Sequence, residues 1–286
     1  MYTYNDLLNE MPLLEGKGAE AGYIGASVSG RMIPVFHAGG FKGRQALIQG
    51  AIHGREHITA KLIVMQIYYT LQNADELDGG IYFIPMSNPD GVSLCQYGLD
   101  SVKNNAARKY LLNVNGGSAD FSLWKANINA VDLNCNFPAR WGTGAQNVFA
   151  PAPESYAGPR AASESETRAL MEITQRVKPG LTISYHCKGR EIYWQFHQAE
   201  RLLIRDGDIA EIFAAVTGYA VVDGDRGSAG GYKDWCIERF KIPAYTFEIV
   251  DDSYSHPVPY SALDEEFSLN KDIPKLAADI LKCIKL

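Results

Sequence analysis

Three residues in a span of five, His53, Glu56 and His57, are of the types that hold zinc in enzymes. If the pentapeptide H-x-x-E-H lay within one helix, both histidines would be ligands and the glutamate would be the general base. Alternatively, only His53 and Glu56 bind the metal, and the remaining ligand comes from elsewhere in the chain. An H-x-x-E pattern is frequent by chance, so the surrounding sequence has to decide between these interpretations.

The residues around this motif favour the second interpretation. The preceding run, residues 45–52 (QALIQGAI), is typical of a strand, and Gly54 is unfavourable inside a helix. Regular helical spacing of apolar residues begins only after the motif. The sequence therefore predicts a loop between a strand and a helix, with His53 and Glu56 as ligands and His57 as a structural residue at the helix start.

A catalytic zinc site also needs a third protein ligand and a nearby carboxylate that can deprotonate a water molecule. His186 ends a strand-like run, residues 181–186, and is the candidate third ligand although it is far from Glu56 in the sequence. Glu248 stands near the end of another such run, residues 244–250, among apolar side chains where a carboxylate is costly to bury. Glu248 is the candidate base, and a salt bridge at the strand end is the alternative.

Apolar runs that are typical of strands alternate along the chain with amphipathic patterns that are typical of helices. The predicted strands are residues 45–52, 80–87, 181–186, 191–196 and 244–250, and the predicted helices are residues 58–74, 163–177 and 273–286. Apolar strands between amphipathic helices predict an α/β fold with a mostly parallel or mixed sheet covered on both faces. Ligands in such sheets collect at the carboxyl ends of strands, where the candidate residues also stand.

Composition and charge exclude several classes of function. The chain has 286 residues, a net charge of −6 and scattered basic residues, which argues against nucleic acid or an anionic membrane as a partner. The N-terminal 18 residues are acidic and lack a long apolar run, and no later run is long enough to span a membrane. The five cysteines form no C-x-x-C pair and fit reduced thiols. We therefore expect a cytoplasmic protein.

Taken together, the motifs of the chain resemble those of the zinc carboxypeptidase family. They are H-x-x-E at 53–56, a lone histidine at 186, TFE ending at 248, NPDG (88–91), VDLNCNF (131–137) and GSAGGYKDW (227–235). The resemblance implies a single domain over residues 1–286, with a mixed, twisted sheet of about eight strands and helices on both faces. It also implies one Zn²⁺ per chain and a small peptide substrate.

Carried over position by position, the resemblance assigns a role to each candidate. It implies that His53, Glu56 and His186 are the zinc ligands and that Glu248 is the general base. Asp132, in VDLN, corresponds to the carboxylate that orients the first histidine, since a ligating imidazole needs such a partner.

Two cations correspond to residues of the family's substrate cleft. Arg55, inside the H-x-x-E motif, matches an arginine of that cleft. Lys125 is the nearest counterpart of the arginine that polarises the scissile carbonyl group, and a lysine can stabilise an oxyanion as a point charge. Both are therefore expected to act in catalysis.

The chain departs from the family at the residues that bind the substrate. Where family members carry Asn-Arg to grip a terminal carboxylate, this chain has Asn134 and Cys135, so the bidentate guanidinium is missing. Cations stand instead at three other positions. Arg226 and Lys188 stand where family members usually have tyrosines. Lys233 occupies the position that determines which substrate side chain a family member prefers. Each of these could also be an ordinary surface charge.

A cationic pocket without the usual clamp suits a substrate with an acidic side chain. In this respect the chain is most similar to bacterial members that cut the γ-D-glutamyl–meso-diaminopimelate bond of murein peptides. One alternative is a zinc carboxypeptidase or deacylase that acts on another acidic residue, such as glutamate, although Cys135 counts against the deacylases. The other is a non-catalytic zinc-containing module that binds peptides, against which the complete set of ligands and base argues.

Overall fold

In the part of the chain that the structure describes, the strands form one mixed sheet of eight members. The computed structural model describes residues 1–224 and 227–284. In chain order the strands are β1 (Glu20–Ala26), β2 (Met32–Gly39), β3 (Gln45–Gln49), β4 (Gly80–Ile84), β5 (Leu181–Cys187), β6 (Glu191–Tyr193), β7 (Ala220–Val222) and β8 (Ala244–Ile249). Across the sheet they are arranged in the order β1-β2-β4-β3-β5-β8-β6-β7.

Helices cover both faces of this sheet. They are α1 (Tyr4–Glu15), α2 (Ile58–Leu71), α3 (Pro89–Tyr97), α4 (Asn105–Val114), α5 (Ser165–Val177), α6 (Glu200–Thr217), α7 (Tyr232–Phe240), α8 (Leu263–Asn270) and α9 (Ile273–Cys283). On one face, α2, α6, α8 and α9 pack into a core that contains Ile63 and Phe247. On the other, α5 and α7 contribute Leu170 and Trp235 to a second core. None of the described helices is long and apolar enough to cross a bilayer.

The centre of the sheet is parallel, and an antiparallel pair joins it to the outer strands on each side. Strands β4, β3, β5 and β8 run parallel to one another, whereas β2 and β6 join this block in the antiparallel sense, and β7 runs parallel to β6. After β3 the chain passes through α2 to β4 on one side, while the next strand, β5, lies on the other side of β3. The strand order therefore reverses between β3 and β5, which is where open α/β sheets bind ligands.

This architecture confirms the predicted α/β domain, its mixed sheet and its two helical layers. All five predicted strands and all three predicted helices are present, but several ends were predicted too late. The strand predicted over 45–52 ends at Gln49, because Ala51 and Ile52 are buried in a loop that leaves the sheet. The helix predicted over 58–74 ends at Leu71. Burial of apolar residues thus continues past the end of regular structure.

The loop that carries the H-x-x-E motif packs against the start of α3. Asn88, the first residue of NPDG, caps this helix through a hydrogen bond from Gly91 N to its Oδ1, at 2.8 Å. Its Nδ2 donates to the carbonyl oxygen of Ile52 at 3.0 Å. A Cβ on Gly54 would lie 2.5 Å from the carbonyl oxygen of Gly91, so only glycine fits there. Gly54 and the NPDG sequence therefore both allow the loop of the H-x-x-E motif to pack closely against the start of α3.

Candidate metal centre and substrate cleft

Three side chains converge at the carboxyl ends of β3 and β5. His53 stands in the loop after β3, and a 3₁₀ turn over Gly54–Glu56 brings the Glu56 side chain beside it. His186 is the last residue but one of β5. All three side chains are buried, and one ligand atom from each lies within 4.8 Å of the other two. The reversal of strand order thus brings together residues that are far apart in the sequence.

The two carboxylate oxygens of Glu56 face the two histidines. Oε1 lies 2.8 Å from Nδ1 of His53, and Oε2 lies 3.1 Å from Nδ1 of His186. The two Nδ1 atoms are 3.3 Å apart. Two imidazole nitrogens and a carboxylate are a ligand set that catalytic zinc takes, with a further position left for water or substrate. The number, type and convergence of these donors fit a zinc ion.

His57 takes no part in this cluster. Its Nδ1 lies 2.8 Å from the hydroxyl oxygen of Tyr260, and the two rings are stacked with their centroids 5.5 Å apart. Burial lowers the pKa of His57 to about 4, so the ring is neutral near pH 7. An inverted H-x-x-E-H site would need His53 and His57 on one helix, whereas α2 begins only at Ile58.

Asp132 holds the far side of the His53 ring. Its Oδ1 lies 3.2 Å from Nε2, so a ring that binds metal through Nδ1 would donate its Nε2 proton to this carboxylate. The carboxylate is fixed in turn by hydrogen bonds from the backbone N–H groups of Asn134, at 3.0 Å, and Ser155, at 2.9 Å. Burial alone would lower the pKa of His53, but Glu56 and Asp132 raise it to about 9. Metal binding near pH 7 must therefore displace a proton.

The other two members of the cluster are in the protonation states that a metal requires. Burial alone would raise the pKa of Glu56, but the two histidines hold it well below its usual range, so the group is a carboxylate. Burial lowers the pKa of His186, which keeps this ring neutral. Nε2 of His186 is buried without a hydrogen-bond partner among the described residues.

Glu248 lies next to the cluster on β8. It is the register partner of His186 in the parallel pair of β5 and β8, so both side chains project from the same face of the sheet. Its half-buried carboxyl group lines the same cleft as His53 and His186. Burial and the nearby charge of Glu56 raise the pKa of Glu248 to about 8, and a bound cation would lower it again. A carboxyl group so placed suits proton transfer near neutral pH.

The cluster opens into a cleft with a volume of about 290 Å³. Of the residues predicted to act on the substrate, Lys125, Asn134, Lys233 and Glu248 line this cleft. Its walls are largely polar, since Asn147, Ser155, Gln195, Ser228 and Asp234 also contribute to them. The cleft is thus suited to a polar, charged ligand rather than to an apolar one.

Lys125 lines this cleft, and Arg55, which is outside the lining, shares an acidic partner with it. Nη1 of Arg55 is 3.6 Å, and Nζ of Lys125 3.9 Å, from the same carboxylate oxygen of Glu154. Burial alone would lower the pKa of Lys125, but Glu56 and Asp132 raise it, so the side chain is a cation. Arg55 itself is absent from the residues that line the cleft.

Asn134 and Cys135 form part of a 3₁₀ turn in the wall of the cleft. Oδ1 of Asn134 accepts a hydrogen bond from Tyr232 N at 3.1 Å, which ties the turn to the start of α7. The Gly230 backbone approaches so closely that a Cβ there would lie 2.5 Å from the carbonyl oxygen of Cys135. Burial raises the pKa of the Cys135 thiol, so the group is neutral and cannot bind a carboxylate as a guanidinium would.

Lys233 is a buried lysine in the wall of the same cleft. Its Nζ donates to the carbonyl oxygen of Gln195 at 2.8 Å and to Oδ1 of Asp234 at 2.6 Å, and it lies 5.7 Å from the centroid of the Phe196 ring. Asp234 also accepts a hydrogen bond from the Ser228 hydroxyl at 2.7 Å. Because an ammonium group has three donors, the two acceptors found among the described residues leave one donor for a ligand in the cleft.

The other two predicted cations are placed differently. The Nζ of Lys188 donates to the carbonyl oxygen of Asp252 and lies 2.6 Å from its Oδ1, and Lys188 is absent from the cleft lining. The acidic segment after β8 thus holds this ammonium group away from the metal cluster. Arg226 lies outside the described residues.

Several cleft residues were not found from the sequence. Gln195 contributes its carbonyl oxygen, which every residue type possesses, so its identity carries no signal. Asn147 orders the loop in front of the cleft by accepting a hydrogen bond from Gly144 N at 2.9 Å, a local role that many asparagines have. Asp234 could have been recognised, because a carboxylate directly after Lys233 is a natural partner for a buried ammonium group.

Comparison with known proteins identifies relatives along almost the whole chain. The zinc carboxypeptidase family model matches residues 7–272. The γ-D-glutamyl-L-diamino acid endopeptidase 1 of Lysinibacillus sphaericus is 31% identical over 284 residues, an alignment that covers 92% of this chain and 68% of that protein.

Solved structures share the fold at lower identity. Bovine thrombin-activatable fibrinolysis inhibitor, in its complex with tick carboxypeptidase inhibitor, aligns with a TM-score of 0.80 and 20% identity over 99% of both chains. Murein-tripeptide amidase MpaA from Escherichia coli O157 aligns with a TM-score of 0.59 and 21% identity, over 94% of this chain and 95% of that one. The family match over residues 7–272 and the relative at 31% identity show that the chain belongs to the zinc carboxypeptidase family.

Proposed function

We propose that this family member hydrolyses the γ-D-glutamyl–meso-diaminopimelate bond of murein-derived peptides, using one zinc ion per chain. The observation that carries the proposal is the convergence of His53, Glu56 and His186 beside Glu248, in a cleft whose wall contains the buried ammonium group of Lys233. The relative from Lysinibacillus sphaericus, a γ-D-glutamyl-L-diamino acid endopeptidase, supports this choice of substrate.

His53, Glu56 and His186 would hold the zinc ion through the two Nδ1 atoms and the carboxylate that already converge. Bound there, zinc supplies a Lewis acid that acidifies a water molecule and polarises the scissile carbonyl group. Asp132 keeps the His53 ring oriented by accepting a hydrogen bond from its Nε2–H group.

Proton transfer falls to Glu248 in this proposal. It takes a proton from the attacking water and returns that proton to the nitrogen of the departing amine, as a single group used first as base and then as acid. Its position beside His186 on the neighbouring strand supports this role.

We assign to Lys125 the role of stabilising the oxyanion that develops on the scissile carbonyl group. Its side chain lines the cleft, and neighbouring carboxylates keep it charged. A fixed cation at the position where negative charge develops lowers the barrier without reorganisation. Arg55 adds a second positive charge on the same side, through their shared partner Glu154.

The leaving group would be recognised at Lys233 and Asn134. Diaminopimelate carries a second carboxylate at the far end of its side chain, and the unfilled donor of Lys233 suits that charge. Cys135, which is neutral and stands beside Asn134, cannot form the bidentate ion pair by which a simple carboxypeptidase would bind the main-chain carboxylate. Arg226 and Lys188 remain part of the prediction but gain no support from the described contacts.

We also propose a cytoplasmic location, with small peptides rather than nucleic acid or membrane as partners. All five cysteines of the chain lie among the described residues and are free thiols, which supports a reducing compartment. Fractionation of cells that express the tagged protein would test this location.

The experiment that tests the function is an assay of zinc-loaded protein with the tripeptide L-Ala-γ-D-Glu-meso-diaminopimelate. We expect release of free diaminopimelate, which the Glu248→Gln variant should not produce from the same purification. No release at high enzyme concentration would contradict the proposed substrate. Stoichiometric zinc without hydrolysis of any peptide in a broad panel would favour the non-catalytic module.

A further inference from the structure

The charges around Glu154 form a group of their own at the edge of the cleft. One carboxylate oxygen serves two cations, at 3.6 Å from Nη1 of Arg55 and 3.9 Å from Nζ of Lys125. The two cationic side chains are largely buried, with 17% and 23% exposure, whereas the Glu154 side chain is 53% exposed. Two sheltered cations thus share a single solvated anion through long contacts, a geometry that stabilises weakly.

The backbone around this carboxylate is firmly held, although the carboxylate itself is not. The carbonyl oxygen of Pro153 accepts hydrogen bonds from the N–H groups of Lys125 and Ala126, at 3.1 and 2.9 Å. On the other side, Ser155 N donates to Oδ2 of Asp132 at 2.9 Å. The backbone on both sides of Glu154 is therefore held, whereas its exposed carboxylate has only the two long ion-pair contacts among the described residues.

We propose that Arg55 and Lys125 form a carboxylate subsite for the acyl side of the substrate, in which Glu154 is a placeholder that the substrate carboxylate displaces. The proposal rests on the proposed function and names the group that is recognised. A γ-linked glutamyl residue keeps a free α-carboxylate, which an ordinary α-linked peptide lacks at that place. A guanidinium beside an ammonium group is a suitable receptor for it.

The distance between the α-carboxylate and the scissile carbonyl group in the substrate agrees with this assignment. In a γ-linked glutamyl residue the α-carboxylate carbon is four single bonds from the scissile carbonyl carbon, which corresponds to about 5 Å when extended. Lys125 lines the same cleft as the metal cluster, and the three donors of its ammonium group allow it to bind this carboxylate while it also faces the developing oxyanion.

Lys233 is a separate receptor. Its described contacts are with Gln195, Asp234 and Phe196, and none of them joins it to the group around Glu154. A substrate with a carboxylate on each side of the scissile bond would therefore engage both receptors, one on each side.

The test compares two tripeptides that differ in a single group: L-Ala-γ-D-Glu-meso-diaminopimelate and its analogue with the glutamyl α-carboxylate converted to a carboxamide. We expect kcat/KM of the wild-type enzyme to be about ten- to a hundredfold higher for the carboxylate, because a charged partner strengthens these hydrogen bonds. In Arg55→Gln the ratio of kcat/KM between the carboxylate and the carboxamide tripeptide should fall towards one. Zinc content and the thermal midpoint would be measured to show that the variant is folded.

Glu154→Gln provides the opposite change at an exposed position where folding is not at risk. Removal of the competing carboxylate should lower KM for the carboxylate substrate about two- to fivefold and leave the carboxamide unaffected. Asp100→Asn is the control, because it removes an even more exposed carboxylate, which contacts Arg108 at 2.8 Å away from the cleft, and it should change neither value. Calorimetry in the Glu248→Gln background should reproduce the same order of affinities without turnover.

Each outcome bears on the proposal. Equal kcat/KM for the two substrates, or a Glu154→Gln variant whose KM for the carboxylate substrate does not fall, would overturn the subsite while the proposed function stands. If the wild-type enzyme cleaved neither tripeptide, the proposed function and the subsite would both be overturned.

Discussion

His186 and Glu248 are paired residues on adjacent parallel strands, and their side chains project from the same face of the sheet. The residues just before them, Tyr185 and Phe247, point to the opposite face, where their rings pack edge to face with centroids 5.6 Å apart. A shift of either strand by one residue would exchange the polar and the aromatic sets. The aromatic core therefore fixes the position of the candidate ligand relative to the candidate base.

The first prediction concerns the base. Glu248→Gln should retain zinc but lose about 10²- to 10⁴-fold in kcat, because the amide cannot accept a proton from water. Zinc content by elemental analysis and kcat on the tripeptide would be measured together. Glu191→Gln is the matched control, since Glu191 is the antiparallel partner of Glu248 on β6, and it should retain most activity. A Glu248→Gln enzyme as active as wild type would refute the mechanism.

The second prediction separates the two histidines of the H-x-x-E-H sequence. His186→Ala should lose bound zinc, because it removes one of three convergent ligands. His57→Ala should keep stoichiometric zinc and lose only stability, through the contact between its ring and Tyr260. Zinc content after dialysis and thermal midpoints would be measured for both. Loss of zinc from His57→Ala with retention in His186→Ala would restore the inverted-helix interpretation.

The sequence predicted the central strands because burial on both faces produces unbroken apolar runs, as in β5 and β8. Three strands were missed, and all of them lie towards the margins. β1 contains no buried residue, β2 contains Pro34 and His37, and β7 has only three residues. Such strands depend on pairing with a neighbour rather than on their own composition, so their sequences carry little signal.

The metal cluster could be predicted because His53 and Glu56 stand close together in the loop between β3 and α2, and His186 stands near the end of an apolar strand. The substrate side could not, since its geometry depends on partners that are distant in the sequence. Lys188 and Lys233 illustrate the difference: both were predicted as pocket cations, but Asp252 holds one away from the cleft and Asp234 holds the other in its wall. The sequence did not indicate a role for Glu154, because exposed glutamates in loops are common in soluble proteins.

The third prediction concerns pH and metal affinity. Glu56 and Asp132 raise the pKa of His53 to about 9 in the metal-free protein, so the ring holds its proton at pH 7 and loses it only as pH rises towards 9. Zinc needs the unprotonated Nδ1, so affinity should rise by about tenfold per pH unit between pH 6 and 8. Calorimetry in buffers of different ionisation enthalpy should detect about one proton released by His53.

The variant that tests this cause is Asp132→Asn. It removes one of the two carboxylates that raise the pKa of His53, so fewer protons should be released at pH 8 and the affinity should depend less on pH. Zinc affinity itself should fall about ten- to a hundredfold, because the His53 ring loses the acceptor for its Nε2 proton. An unchanged pH dependence would show that the proton comes from another group.

The fourth prediction concerns the far carboxylate of diaminopimelate. Wild-type enzyme should prefer the diaminopimelate tripeptide over the analogue with L-lysine, which lacks that carboxylate, by about tenfold or more in kcat/KM. Lys233→Gln should reduce this ratio towards one, mainly through KM. Zinc content serves as the folding control, since Asp234 keeps its hydrogen bond from Ser228 in the variant. If the ratio were unchanged, another group would have to bind the carboxylate.

The last prediction concerns a variant that introduces the carboxylate-binding guanidinium that this chain lacks. Cys135→Arg would place a guanidinium in the cleft wall beside Asn134, where the neutral thiol now stands. We expect the variant to gain about tenfold in hydrolysis of short α-linked peptides with a free terminal carboxylate, because a bidentate ion pair replaces a contact that binds no charge.

Cys135→Gln separates the effect of charge from that of size, since glutamine fills similar space without a charge and should bring no such gain. Activity on both peptide classes would be compared at equal zinc content for the two variants. A gain in both variants would mean that size alone limits the pocket. A gain in neither would mean that the missing guanidinium is not what separates this enzyme from simple carboxypeptidases, and that Lys233 and its partners decide the substrate on their own.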